Sequence, residues 1–251
     1  MARQCVYCDN SGTTLEHAWP KWLLRWWNPS GQPVPTQRAT PDGTKPIGGW
    51  NFGAIRTVCG PCNRWMQHTF EDHVAPLIKH LDDGPPETTI TPEQQRLLAS
   101  WVFKTLLMLE CTMPMGLDEM RPACRRFRSS GLPPDNVSIV MGITLEPALA
   151  FHRETMTHRG PERPSNIVDG FAATMVVSHL FFHVIGDTPV LNAHEVVTPA
   201  ALRDCYHRIW PATSRPLLYP FASAFTKGAL EDLIRWTGGE TGFTFLPVGS
   251  H

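Results

Sequence analysis

Cys5 and Cys8 are separated by two residues, as are Cys59 and Cys62, and the two pairs lie far apart in the chain. A two-residue gap lets two thiolates leave one tight turn towards the same ion, and zinc takes four such ligands in a tetrahedron. Whatever the intervening segment folds into must therefore bring Cys59 back to Cys5. The residues ahead of Cys5 have no apolar core of the kind a secretion signal needs. The expectation is a cytoplasmic protein with reduced thiols, in which the paired cysteines bind a metal rather than form disulfides. Cys111, Cys124 and Cys205 stand alone in spacing and read as buried thiols.

A chain of 251 residues can bury a full core as one large domain or two smaller ones. Its formal net charge of -1 provides no global attraction to a polyanion, so any nucleic-acid site must come from local clustering. Hydrophobic residues at 42% against charged residues at 18% describe a folded chain rather than a disordered one. The most apolar stretch, Phe171 to Ile185, is too short for a membrane-spanning helix and is rich in Val and Phe, which predicts buried strand.

Residues 1–82 read as a metal-organised module. Leu15 to Trp27 is dense in Trp and Leu, with Pro20 suited to a first helical turn, and Trp19, Trp22, Trp26 and Trp27 at helical spacing predict core rather than base stacking. Residues 28–50 predict a long loop with room for a hairpin. Ile55 to Val58 predicts a short strand, and Asn63 to Leu81 a helix with Met66, Phe70, Val74, Leu77 and Leu81 on one face, kinked or split by Pro76. Asp82 to Glu87 is the clearest linker. Residues 91–251 then predict an α+β domain, a helix packed on an antiparallel sheet. Thr91-Pro92-Glu93 opens that helix in N-cap style. Val137 to Leu145, Ala148 to Thr155 and Phe171 to Ile185 are the expected strands, and Pro199 to Tyr206 and Lys227 to Trp236 the expected short helices.

Between the two cysteine pairs sits Glu16-His17-Ala18-Trp19-Pro20, and Asn63 directly follows Cys62. On these residues the chain resembles the HNH, or ββα-metal, endonuclease superfamily, in particular its four-cysteine zinc subgroup, which includes phage endonuclease VII, and a group of uncharacterised bacterial HNH proteins. The resemblance covers residue 5 to about residue 75. It implies a ββα-metal module with a structural Zn²⁺ on Cys5, Cys8, Cys59 and Cys62, a general base in His17, and a catalytic Mg²⁺ or Mn²⁺ held by Glu16 and Asn63. It also offers Asn51 as the middle asparagine and leaves the third helical position open between Gln67 and His68. Glu stands where the family more often has Asp. The implied substrate is DNA, with RNA as the alternative, and the carboxy-terminal domain would set substrate, protein partner or a homodimer.

The chemistry suits the residue types. Hydrolysing a phosphodiester requires a base for the attacking water and a hard cation against the charge that builds on phosphate. Imidazole titrates near neutrality, and Mg²⁺ prefers oxygen ligands. Neighbours on a regular strand point to opposite faces, so Glu16 and His17 can serve one point only from a bent backbone. Lys21, Arg25, Arg56 and Arg64 flank the site and are the expected phosphate contacts. Arg121, Arg125, Arg126 and Arg128 form a denser cluster that reads as a solvated helix face. His179 and His183 have helical metal spacing but fall in expected strand. The contrasting reading is a non-catalytic zinc module that binds nucleic acid or protein.

Overall fold

The computed structural model describes residues 4–29, 36–40, 43–47, 54–84, 87–112, 117–157, 168–186 and 205–236. The architecture is mixed helix and strand, α+β. Strand β1 (Thr13–His17) leads into helix α1 (Lys21–Trp27), with Pro20 at the N-cap. The expected hairpin is β2 (Thr36–Thr40) paired with β3 (Gly43–Ile47). Strand β4 (Ala54–Cys59) then runs antiparallel to β1 and passes directly into α2 (Gly60–Met66).

From Gly60 to Asp82 the chain is helical without a break: α2, a π-helical turn over Gln67–Glu71, and α3 (Asp72–Asp82). Pro76 lies inside α3, and the irregular turn is the one before it rather than a split at the proline. A proline ring crowds the carbonyl four residues back, here that of Asp72, where the widened turn ends.

Past β5 (Thr88–Ile90), α4 (Pro92–Glu110) opens with a complete capping box between Thr91 and Gln94. It is buried on all sides from Leu98 to Glu110, as a helix through the middle of a core must be. After α5 (Leu117–Ser130), β6 (Val137–Thr157) pairs with β7 (Val168–Gly186) and with β8 (Tyr206–Trp210), giving the order β7-β6-β8. The two expected strands at 137–145 and 148–155 are one, interrupted at Glu146-Pro147, where the register steps from Ile143/Leu180 to Ala148/Ser178 and Ser178 takes φ 55. Past that step the ribbon folds back on itself. The Phe171 ring lies 2.7 Å from where a Cβ on Gly186 would sit, at the opposite end of the same strand. Thr174 and His183 meet at 2.8 Å across the fold.

The expected helix at Pro199 to Tyr206 is corrected at its end: Tyr206 opens β8, its ring buried against Phe225, and residues 199–204 lie outside the described residues. Strand β9 (Leu217–Tyr219) pairs with β5, and α6 (Lys227–Trp236) covers β6. The linker at Asp82 to Glu87 does not divide the interior, because one continuous apolar cluster runs from Cys5 and Phe70 through Trp101 and Phe127 to Phe221. Among the described residues no helix is long and apolar enough to cross a membrane.

Candidate functional site

The first cysteine pair sits in a tight turn closed by the Cys5 amide on the Asn10 carbonyl at 3.0 Å. The Val6 amide donates to the Thr57 carbonyl at 2.9 Å and so docks the turn on β4. The second pair straddles the junction of β4 and α2, where Cys59 is the N-cap and Pro61 falls in the first turn. The four sulfurs lie within 4.8 Å of one another, with Cys8 at 3.6 Å from both Cys59 and Cys62. Four thiolates at about 2.3 Å from one tetrahedral ion stand close to 4 Å apart, so this donor set fits such an ion without rearrangement. Burial pushes the Cys8 and Cys62 thiols up, and neighbouring thiols push Cys62 further. A cation at the centre removes that penalty.

Helix α5 braces this turn. Arg121 on α5 donates to the Cys5 carbonyl at 2.6 Å, and Arg125 pairs with Asp9. Arg128 lies over the Trp65 ring at 4.2 Å, where Trp65, Phe70 and Phe127 pack edge-on and stacked. Three of the four clustered arginines therefore serve as structural clamps. The fourth, Arg126, lines a cavity of about 530 Å³ between α4, α5, β6 and β7.

Glu16 and His17 are the last two residues of β1. The β1/β4 register steps between Thr14/Val58 and Glu16/Ile55, leaving one extra residue on β4 opposite Leu15. Glu16 and His17 then pair with Ile55 and Ala54 in consecutive register, so the irregularity falls immediately before the pair and not between its members. Accordingly Glu16 is buried, only 8% exposed, while His17 is half-buried.

Burial lifts the Glu16 carboxyl to about 7, helped by the charge of Glu71 and opposed by Lys104, Lys21 and the backbone N–H of His17. His17 is held below its ordinary range by burial and by Lys21, which keeps the imidazole neutral at pH 7. Asn63 is half-buried in α2, one residue past Cys62. The side chains of Glu16, His17 and Asn63 form no hydrogen bonds with one another among the described residues. Gln67 and His68 are exposed at the start of the π turn, and His68 is tied to Asp72 at 2.9 Å. Asn51 lies outside the described residues. Lys21, Arg25, Arg56 and Arg64 are all exposed, and none is in an ion pair among the described residues.

Two residues beside Glu16 were not anticipated. Glu71 ends the π turn, and its carboxylate accepts from Lys104 Nζ at 2.5 Å; Lys104 has no exposed side-chain surface. Lys104 is the only basic residue between Arg96 and Arg121, in the middle of an apolar helix, and that isolation was the available signal. His183 is buried and its pKa lowered to about 4 by burial and by His152; its Nδ1 meets Thr174, while His179, four residues earlier on β7, contacts Asp82. The two histidines thus have separate partners, in line with a strand.

No family model matches this chain, and neither a curated protein nor a solved structure matches it.

Proposed function

We propose that this protein is a metal-dependent endonuclease of the HNH type, acting on DNA, with zinc as a structural ion on Cys5, Cys8, Cys59 and Cys62. The observation that carries the reading is the order of elements around the cysteine cluster. An antiparallel pair, β1 and β4, runs directly into α2, with Glu16-His17 ending the first strand and Asn63 within the helix beside Cys62. That order of elements supports the ββα-metal reading.

In this reading His17, kept neutral by its surroundings, accepts the proton of the attacking water. Glu16 and Asn63 would hold Mg²⁺ or Mn²⁺, which when bound supplies charge neutralisation at the phosphate. The buried cluster of Glu16, Glu71 and Lys104 holds two carboxyl groups to one ammonium group, and a divalent cation beside Glu16 would favour its ionised form. A π-helical turn beside the cluster also fits, since such turns concentrate at functional sites. Lys21, Arg25, Arg56 and Arg64 present exposed positive charge, in no ion pair among the described residues, for phosphate contacts. By analogy with the family, the products carry a 3′-hydroxyl and a 5′-phosphate.

The second reading is a non-catalytic zinc module for nucleic acid or protein. It is favoured by the consecutive register of Glu16 and His17, which sends neighbouring side chains to opposite faces. Nicking of supercoiled plasmid by wild type and by His17→Ala, with and without Mg²⁺ or Mn²⁺, tests the proposal. It expects metal-dependent cutting that His17→Ala abolishes. Equal cutting by both proteins, or none by wild type with either ion, supports the binding module.

A further inference from the structure

Lys104 lies on α4, after the segment that carries the proposed site residues, yet its ammonium group ends beside Glu71, within electrostatic reach of Glu16. Three elements distant in sequence, β1, the π turn and α4, thus converge on one charged cluster. An ammonium group with no exposed surface is costly to bury, and apolar packing at that point of α4 would cost less. The expense is understandable if the ammonium group has a task that apolar atoms cannot perform.

We infer that Lys104 is a positioning residue for the proposed cation site: it binds Glu71 directly and thereby leaves Glu16 as the carboxylate available to the cation. The inference rests on the nuclease reading above. With Lys104 in place, Glu71 is neutralised and fixed, and Glu16 is the carboxylate of the cluster without a direct ion-pair partner among the described residues. Without it, Glu71 is free to compete for the cation and to draw it away from Asn63. Outer residues that orient a metal's ligands change metal affinity by about 10- to 100-fold when removed. The same contact makes the site depend on α4, so the amino-terminal segment supplies the ligands and α4 fixes which of them is used.

The test compares full-length wild type with Lys104→Met, which frees Glu71, and with Lys104→Met/Glu71→Gln, which removes the lysine and the competing carboxylate together and leaves neither charge buried alone. Mn²⁺ affinity, read from the EPR signal of free Mn²⁺, plasmid nicking and zinc content are measured on all three proteins. The expected result is that Mn²⁺ affinity and cutting fall by about tenfold or more in zinc-loaded Lys104→Met and return towards wild type in the double variant. If zinc-loaded Lys104→Met binds Mn²⁺ and cuts like wild type, or if the double variant falls as far as the single one, Glu71 does not compete for the cation and the inference fails while the nuclease reading stands. If wild type neither binds Mn²⁺ nor cuts, both fall together.

Discussion

Replacing Cys62 with serine should unfold far more than a surface knuckle. The ligand turns are not peripheral: Cys5, Val6, Tyr7, Val58, Cys59 and Cys62 are all buried within the main apolar cluster. Loss of one thiolate leaves Cys8 and Cys59 without an ion to share, in surroundings that already push the Cys8 thiol up. A structural zinc in a small module contributes about 10–16 kcal/mol at neutral pH, which matches or exceeds the roughly 5–15 kcal/mol that holds a typical domain folded. The variant should therefore lose its zinc, expose the Trp65–Phe70–Phe127 cluster that α5 shares with the helix after Cys62, and fail to melt cooperatively. Zinc content by atomic absorption, thiol titration and calorimetry provide the assay. If wild type purifies without zinc, with the four cluster thiols titratable and a melting temperature indifferent to chelator, the metal staple is refuted.

Three further outcomes follow from the same geometry. Glu16→Gln should raise stability at pH 8 while abolishing cutting. The raised carboxyl, at about 7 against an ordinary 4.5, costs the folded state progressively as pH rises through that window, so removing it returns up to about 3 kcal/mol, measurable by urea denaturation. His183 acts in the opposite direction. A histidine held neutral down to about 4 takes up its proton in the unfolded chain first, so acidification from 6.5 towards 4 should destabilise the protein by about 3 kcal/mol, and His183→Gln should flatten that slope in melts at pH 5 against pH 7. Residues 1–82 expressed alone should not give a folded module even with zinc. Phe70, Val74 and Ile78 would lose the cover of the rest of the chain and Glu71 its lysine; a dispersed amide NMR spectrum for the fragment would contradict this.

Much of the framework was legible from local signals. The paired cysteines, the Thr91 cap, the apolar periodicity of residues 63–81 and the β-rich run after Val137 each carry their instruction within a few residues, and each appears where expected. What was not legible depends on contacts far apart in sequence. The α5 arginines read as a solvated face because nothing local reveals that Cys5 offers a carbonyl and Asp9 a carboxylate to them. Lys104 is a lone charge on an apolar helix until Glu71 arrives from the π turn. The folding back of the β6–β7 ribbon is likewise invisible in the strand pattern. It depends on a register step at Glu146-Pro147 and on a glycine at 186 that leaves room for Phe171. The candidate site was legible as a set of residue types, not as a geometry: the register step falls just before Glu16, where sequence alone could not place it.

The most direct measurement is anomalous diffraction from crystals grown with zinc and soaked in Mn²⁺, with data collected at both metal edges. The account predicts a zinc peak among the four cysteine sulfurs and a separate Mn²⁺ peak touching Glu16 and Asn63, with His17 turned towards a water on that ion. A Mn²⁺ map with no peak there, and Glu16 engaged only with the Lys104–Glu71 pair, would contradict it.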